Sequence, residues 1–134
     1  PTVRVTPAVP AASPPPRAIS YLVVERWSIP NGGTGRAIVV RADYLNDADM
    51  KALGERLRAD GAADRNAVAM IFTQEAAART RAAVLGGRAT QAENAAYDQA
   101  FIGTYTKNGN TGFHRLEVCY GGFVARADCH TTSY

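Results

Sequence analysis

Six of the seven prolines fall within the first sixteen residues, PTVRVTPAVPAASPPP, so strands and helices have to come from the residues beyond them. Proline fixes φ and has no backbone N–H, and Pro14-Pro15-Pro16 therefore favours an extended polyproline II course with no core of its own. Residues 1–17 are expected to be a Pro/Ala-rich extended linker, and 18–134 a single α+β domain. Tracts of this kind act as semi-rigid spacers between an anchor and a domain; the competing use is as a ligand for a proline-recognising groove. The chain opens on Pro1 instead of Met, the expected mark of a processed product. A membrane would then be reached only through an anchor upstream, because no apolar run approaches the roughly 18 residues that a spanning helix needs.

Beyond Ala18 the texture is that of a globular domain. Ile19, Tyr21, Val23, Glu25 and Trp27 alternate with Ser20, Leu22, Val24, Arg26 and Ser28, a strand pattern that stops at the turn signal Pro30-Asn31-Gly32-Gly33-Thr34-Gly35. Arg36–Asp43 comes next as a second strand with Ile38, Val40, Ala42 and Tyr44 on one face, and the pair forms a hairpin. Asn46 is a helix cap, Asp47 and Asp49 suit the positive end of the helix dipole, and Leu45 can staple to Met50. Met50, Leu53 and Leu57 repeat on one face and Gly61 stops the run, which predicts a helix over Asp47–Asp60.

Asn66–Thr73 is apolar on both faces, as a central strand is. Gln74–Leu85 reads as one Ala-rich helix, Arg88–Gln99 as an ambiguous stretch with room for a short helix at Glu93–Asp98. Phe101–Thr106 and His114–Tyr120 close the chain as a second hairpin around Asn108-Gly109-Asn110. The expected fold is α+β, a single mixed sheet of about five strands in the order β-β-α-β-α-β-β with the helices packed on it.

Charge excludes one class of partner. The net charge is +3, but the arginines are dispersed among Asp and Glu and no basic run exists, unlike the concentrated cationic face of a nucleic-acid binder. The scarcity of Lys beside Arg and the abundance of Ala suit a bacterial base composition.

Cys119 and Cys129 are the only cysteines. A bridge between them would tie the C-terminal tail to the last strand and stabilise by roughly 2–3 kcal/mol through loop closure. It would also place the protein in an oxidising compartment, periplasmic or extracellular. Two alternatives use the same residues. His114, Cys119, Cys129 and His130 together have the donor types for tetrahedral zinc, but lack a tight C-x2-C knuckle, and on an ideal strand His114 and Cys119 point to opposite faces. A Cys–His nucleophile pair would need a free thiol beside one of the histidines. Gly32-Gly33-Thr34-Gly35 lacks the Lys and the following helix of a phosphate loop, and the Asn108-Gly109-Asn110 turn lacks the carboxylates of a calcium loop.

No catalytic constellation stands out and no cofactor is expected. The leading expectation is a non-catalytic, exported binding or accessory domain that works by contact with a protein partner or within a larger assembly. Tyr105, Phe113, His114 and Arg115 are the candidate contact residues, since Tyr and Arg combine large area with a polar end. The alternative use of Phe101, Tyr105 and Tyr120 is as filling for the core side of the sheet. The alternative function is a small Cys/His-dependent or zinc-dependent hydrolase.

Overall fold

A computed structural model describes residues 18–30 and 32–134 of the chain. The expected linker at 1–17 lies outside the described residues. Six strands form one sheet in which spatial order equals sequence order. β1 (Leu22–Ile29) and β2 (Gly33–Val39) make the expected hairpin. The helix α1 (Asp47–Asp60) then crosses over to β3 (Asn66–Phe72), which lies parallel to β2. After α2 (Glu75–Arg79), α3 (Arg81–Leu85) and α4 (Gln91–Ala100), the strands β4 (Phe101–Asn108), β5 (Phe113–Cys119) and β6 (Cys129–Ser133) run antiparallel.

The α+β class and the single mixed sheet match expectation, while the expected five strands are six. β6, CHTTS, is too short and too polar to show an apolar alternation, and its pairing with β5 and the Cys119–Cys129 bond define it. The single helix expected over Gln74–Leu85 is two. Thr80 divides them at φ −85° and ψ 0°, its hydroxyl bonded to the Ala77 carbonyl at 2.7 Å, a local bond that competes with helix propagation. Arg88–Gln99, ambiguous in sequence, contains most of a ten-residue helix opened by a capping box: Thr90 accepts from the Glu93 amide, and the Glu93 carboxylate accepts from the Thr90 amide.

The helices cover opposite faces. α1, capped by Asn46 as expected, lays Met50, Leu53 and Leu57 on Ile38, Ile71, Leu116 and Val118. The opposite face buries Ala37, Phe72 and Phe101 under Ala77, Ala78 and Tyr97 of α2 and α4. Here Phe72, Tyr97 and Phe101 form a mutual aromatic cluster with centroids 5.2 to 5.6 Å apart.

A register shift between Val23 and Glu25 breaks the simple alternation expected of β1. As a result Tyr21 and Val23 pack with the α1-side core, but Val24 and Trp27 pack on the other side. Gly35, expected in the turn, is a strand residue beneath Trp27, whose indole occupies the space a Cβ would need. Arg81 stacks on that indole at 3.4 Å and pairs with Glu25 at 3.2 Å, holding α3 against β1.

Candidate functional site

Strand register distributes the four expected contact residues over both faces. Tyr105 and His114 point to the α1 side, with Leu116 and Val118; Phe113 and Arg115 point to the opposite side, with Glu117. Tyr105 is 1% exposed, so in the folded domain it is a core residue and not part of the accessible surface. Its hydroxyl lies 3.2 Å from His114 Nδ1, and burial raises its pKa. The His114 pKa is lowered, first by burial and then by the nearby cations Arg58 and Lys107. Lys107 itself caps the end of α1, donating to the Gly61 carbonyl at 3.0 Å and to that of Asp64 at 2.6 Å.

Phe113 and Arg115 lie on the sheet face that α2–α4 cover in part, with Met70 at the edge of the covered area. Across β3, β4, β5 and β6 the register sets Met70, Thr104, Glu117 and Thr131 in one row and Val68, Thr106, Arg115 and Ser133 in the next. Asn66, Asn108 and Phe113 make a third row beside the hairpin turn. None of these side chains is fully buried, in contrast with the cores on either side of them. Trp27 and Arg81 bound the surface on the β1 side.

The only carboxylate of those three rows is held underneath. Glu117 pairs with Arg115 at 3.1 Å and with Arg126 at 2.8 Å; its side chain is 15% exposed, while Arg115 and Arg126 are 42% and 53% exposed. The hydrogen bond from Arg126, and then both guanidinium charges, hold the Glu117 carboxyl below its usual range against the opposing effect of burial. The exposed layer of this face therefore carries two cations, and the ring of Phe113 on the same face is 43% exposed.

Arg126 was not among the expected residues, because it lies outside any strand and reaches Glu117 from the loop between Cys119 and Cys129. Cys119 and Cys129 are directly paired neighbours on β5 and β6, joined by an S–S bond of 2.02 Å. The bond closes a loop that folds over the end of the sheet: the Phe123 amide donates to the Phe101 carbonyl at 3.0 Å, and the two rings lie 4.9 Å apart. The Arg126 guanidinium sits 5.0 Å above the Phe123 ring. Two residues of this loop, Arg126 and Asp128, have φ of 55° and 53°. Such left-handed geometry is uncommon outside glycine, and the packed and bonded surroundings hold it here.

The bridge also bears on the zinc and nucleophile constellations. Both sulfurs are in the bond, so neither is a thiolate that could attack a substrate or bind an ion. His114 and His130 do share the α1 side, but they lie four residues apart along paired strands, about 13 Å at the usual rise. Among the described residues no group of three His, Cys, Asp or Glu side chains is arranged to hold a metal ion.

An open groove of about 480 Å³ between α2 and α4 is lined mainly by Ala76, Ala77, Ala96 and Ala100, with Thr73, Gln74 and Gln99 as its polar groups. The lining has no carboxylate, histidine, cysteine or lysine, and its one hydroxyl, that of Thr73, donates to the Ala100 carbonyl at 3.4 Å. Among the described residues no helix is long and apolar enough to cross a membrane. No family model, curated protein or solved structure matches the chain.

Proposed function

We propose that the chain is a non-catalytic binding domain of the periplasm or extracellular space, which contacts a carboxylate-bearing protein through the open face of β4, β5 and β6. One observation carries the reading: Arg115 and Arg126 lie outermost over the Glu117 that they share, so the surface is cationic at its exposed layer. Phe113, two positions from Arg115 on the same face of β5, adds an apolar anchor, and the hydroxyls of Thr106, Thr131 and Ser133 add adaptable hydrogen bonds. Arg and aromatic residues are the types that dominate binding energy at interface centres. The Cys119–Cys129 bond supports an oxidising compartment. The Pro/Ala-rich composition of residues 1–17 suits a spacer that carries the domain to its partner.

Site-specific photocrosslinking in the producing cells tests the reading. A photoreactive phenylalanine at position 113 is expected to trap one discrete partner, and Arg115→Glu with Arg126→Glu is expected to abolish that adduct. The same probe at Ala48, on the outer side of α1, is expected to trap none. Equal adducts at both positions, or an adduct at 113 indifferent to charge reversal, would overturn it.

A further inference from the structure

The cystine loop is fastened to the rest of the domain at a second point. His130 of β6 has a carboxylate at each ring nitrogen: Asp47 Oδ1 lies 3.2 Å from Nδ1, and Asp128 Oδ1 lies 2.8 Å from Nε2. Asp47 is the first residue of α1, and Asp128 ends the cystine loop. Tyr120, at the other end of the loop, donates its hydroxyl to the same Asp47 oxygen at 2.6 Å, and its ring lies 4.8 Å from that of His130. Side chains from α1, from both ends of the loop and from β6 thus meet around one imidazole.

A neutral imidazole has one N–H and one lone pair, so it can donate to only one of two carboxylates and presents its lone pair to the other. The imidazolium donates to both. We infer that His130 is a proton-operated latch, which when protonated ties the cystine loop at Asp128 to the start of α1 at Asp47, and which releases Asp128 or Asp47 when it loses its proton. The latch acts on the fold of the loop and stands independently of any binding partner.

The surroundings give the latch its direction. The groups facing the ring are Asp47 from α1, Asp128 from the loop and the Tyr120 hydroxyl, with Asp49 of α1 beyond Tyr120. The Asp128 hydrogen bond and the Asp47 charge favour the imidazolium; partial desolvation and the positive end of the α1 dipole oppose it. The balance raises the His130 pKa above its ordinary 6.5. A group whose folded pKa is raised stabilises fully below its unfolded value and loses that contribution as pH rises through the folded value. The latch is therefore closed in mildly acidic surroundings and opens on the alkaline side of 6.5.

Release bears on the loop because of where Asp128 lies. Its φ of 53° is a conformation that the surroundings must maintain, and Arg126, two residues earlier, shares that geometry. The Tyr120 amide is bonded to the Asp128 carbonyl and that of Gly121 to Ala127, so loosening Asp128 acts on the base of the loop while the cystine keeps its ends together.

The chain has two histidines, and their surroundings differ in sign, so one is the internal control for the other. Side-chain NMR titration of the full chain is expected to show His130 titrating above 6.5 with both ring nitrogens protonated below its midpoint, and His114 titrating below 6.5. In Asp128→Asn the His130 midpoint is expected to fall and that of His114 to stay. Amide protection factors over residues 121–128 are expected to drop at least several-fold across the His130 midpoint, and to show no step in His130→Gln. A His130 midpoint at or below 6.5 that ignores Asp128→Asn would overturn the inference. Loop protection that stays level through the His130 titration would overturn it as well.

Discussion

On the α1 side a fourteen-residue helix, capped by Asn46, reaches the sheet through Met50, Leu53 and Leu57. On the other side three shorter helices press Ala77 and Ala78 close to Ala37 and leave Phe72, Tyr97 and Phe101 to fill the volume that alanine cannot. Long aliphatic side chains let one helix serve a broad core. Small ones bring the backbone in close, and concentrate the apolar volume in a few rings. The alanine side also stops short, so that β4, β5 and β6 keep bare rows there while the α1 side is filled out to Leu116 and Val118. The difference shows how one sheet can provide both a stable core and an accessible surface.

If the alanine side depends on its rings, Phe72→Ala should have the largest effect on stability. It should cost about 3–5 kcal/mol, at or above the roughly 2–5 kcal/mol expected of Leu53→Ala across the sheet. Urea unfolding with an unchanged m-value measures both, and a larger loss at Leu53 would break the comparison. Next in size is the cystine. The double change Cys119→Ser and Cys129→Ser should lower stability by roughly 2–3 kcal/mol for a separation of ten residues.

Ala78 sharpens the contrast from the opposite direction. It is fully buried, and Ala78→Leu should cost about 1–3 kcal/mol through overpacking in a layer built for close approach. A neutral result would mean that the helices on that side can move outward. Thr90→Ala removes a capping box and should cost about 1 kcal/mol, with α4 fraying first by hydrogen exchange.

The smallest effect is a pH dependence. Glu117 is held below its usual range by Arg126 and Arg115, so its contribution is present at neutral pH and lost as pH falls through the lowered value. Arg126→Gln should move the acid-unfolding midpoint upward, towards neutrality. An unchanged midpoint would mean that the pair leaves stability untouched, as many exposed ion pairs do.

Much of the frame is legible in the sequence alone. Asn46, the paired Asp47 and Asp49, and Gly61 delimit α1 because each acts locally, through a cap, the helix dipole and a stop. Thr90 and Glu93 carry an equally local signal for α4, the S/T-x-x-E pattern, and a segment whose buried side chains are only Tyr97 and Ala100 obscures it. β6 has no such signal: its residues are polar, and only pairing and the cystine make a strand of them. Of the four expected contact residues, Phe113 and Arg115 lie on the open face. Tyr105 belongs to the core and His114 beside it, a division that comes from register and not from residue type. Arg126 could not be foreseen, since its position depends on a disulfide-closed loop with left-handed residues.

A binding role requires that the open face be covered when the protein works. Hydroxyl-radical footprinting on intact producing cells and on the purified protein measures this directly. Phe113 and Leu22 are comparably exposed in the isolated chain, at 43% and 47%, but only Phe113 lies on the face of β5 that carries Arg115. Labelling of Phe113 is expected to fall several-fold in cells while that of Leu22 holds steady. Equal labelling of Phe113 in both settings would contradict the binding role.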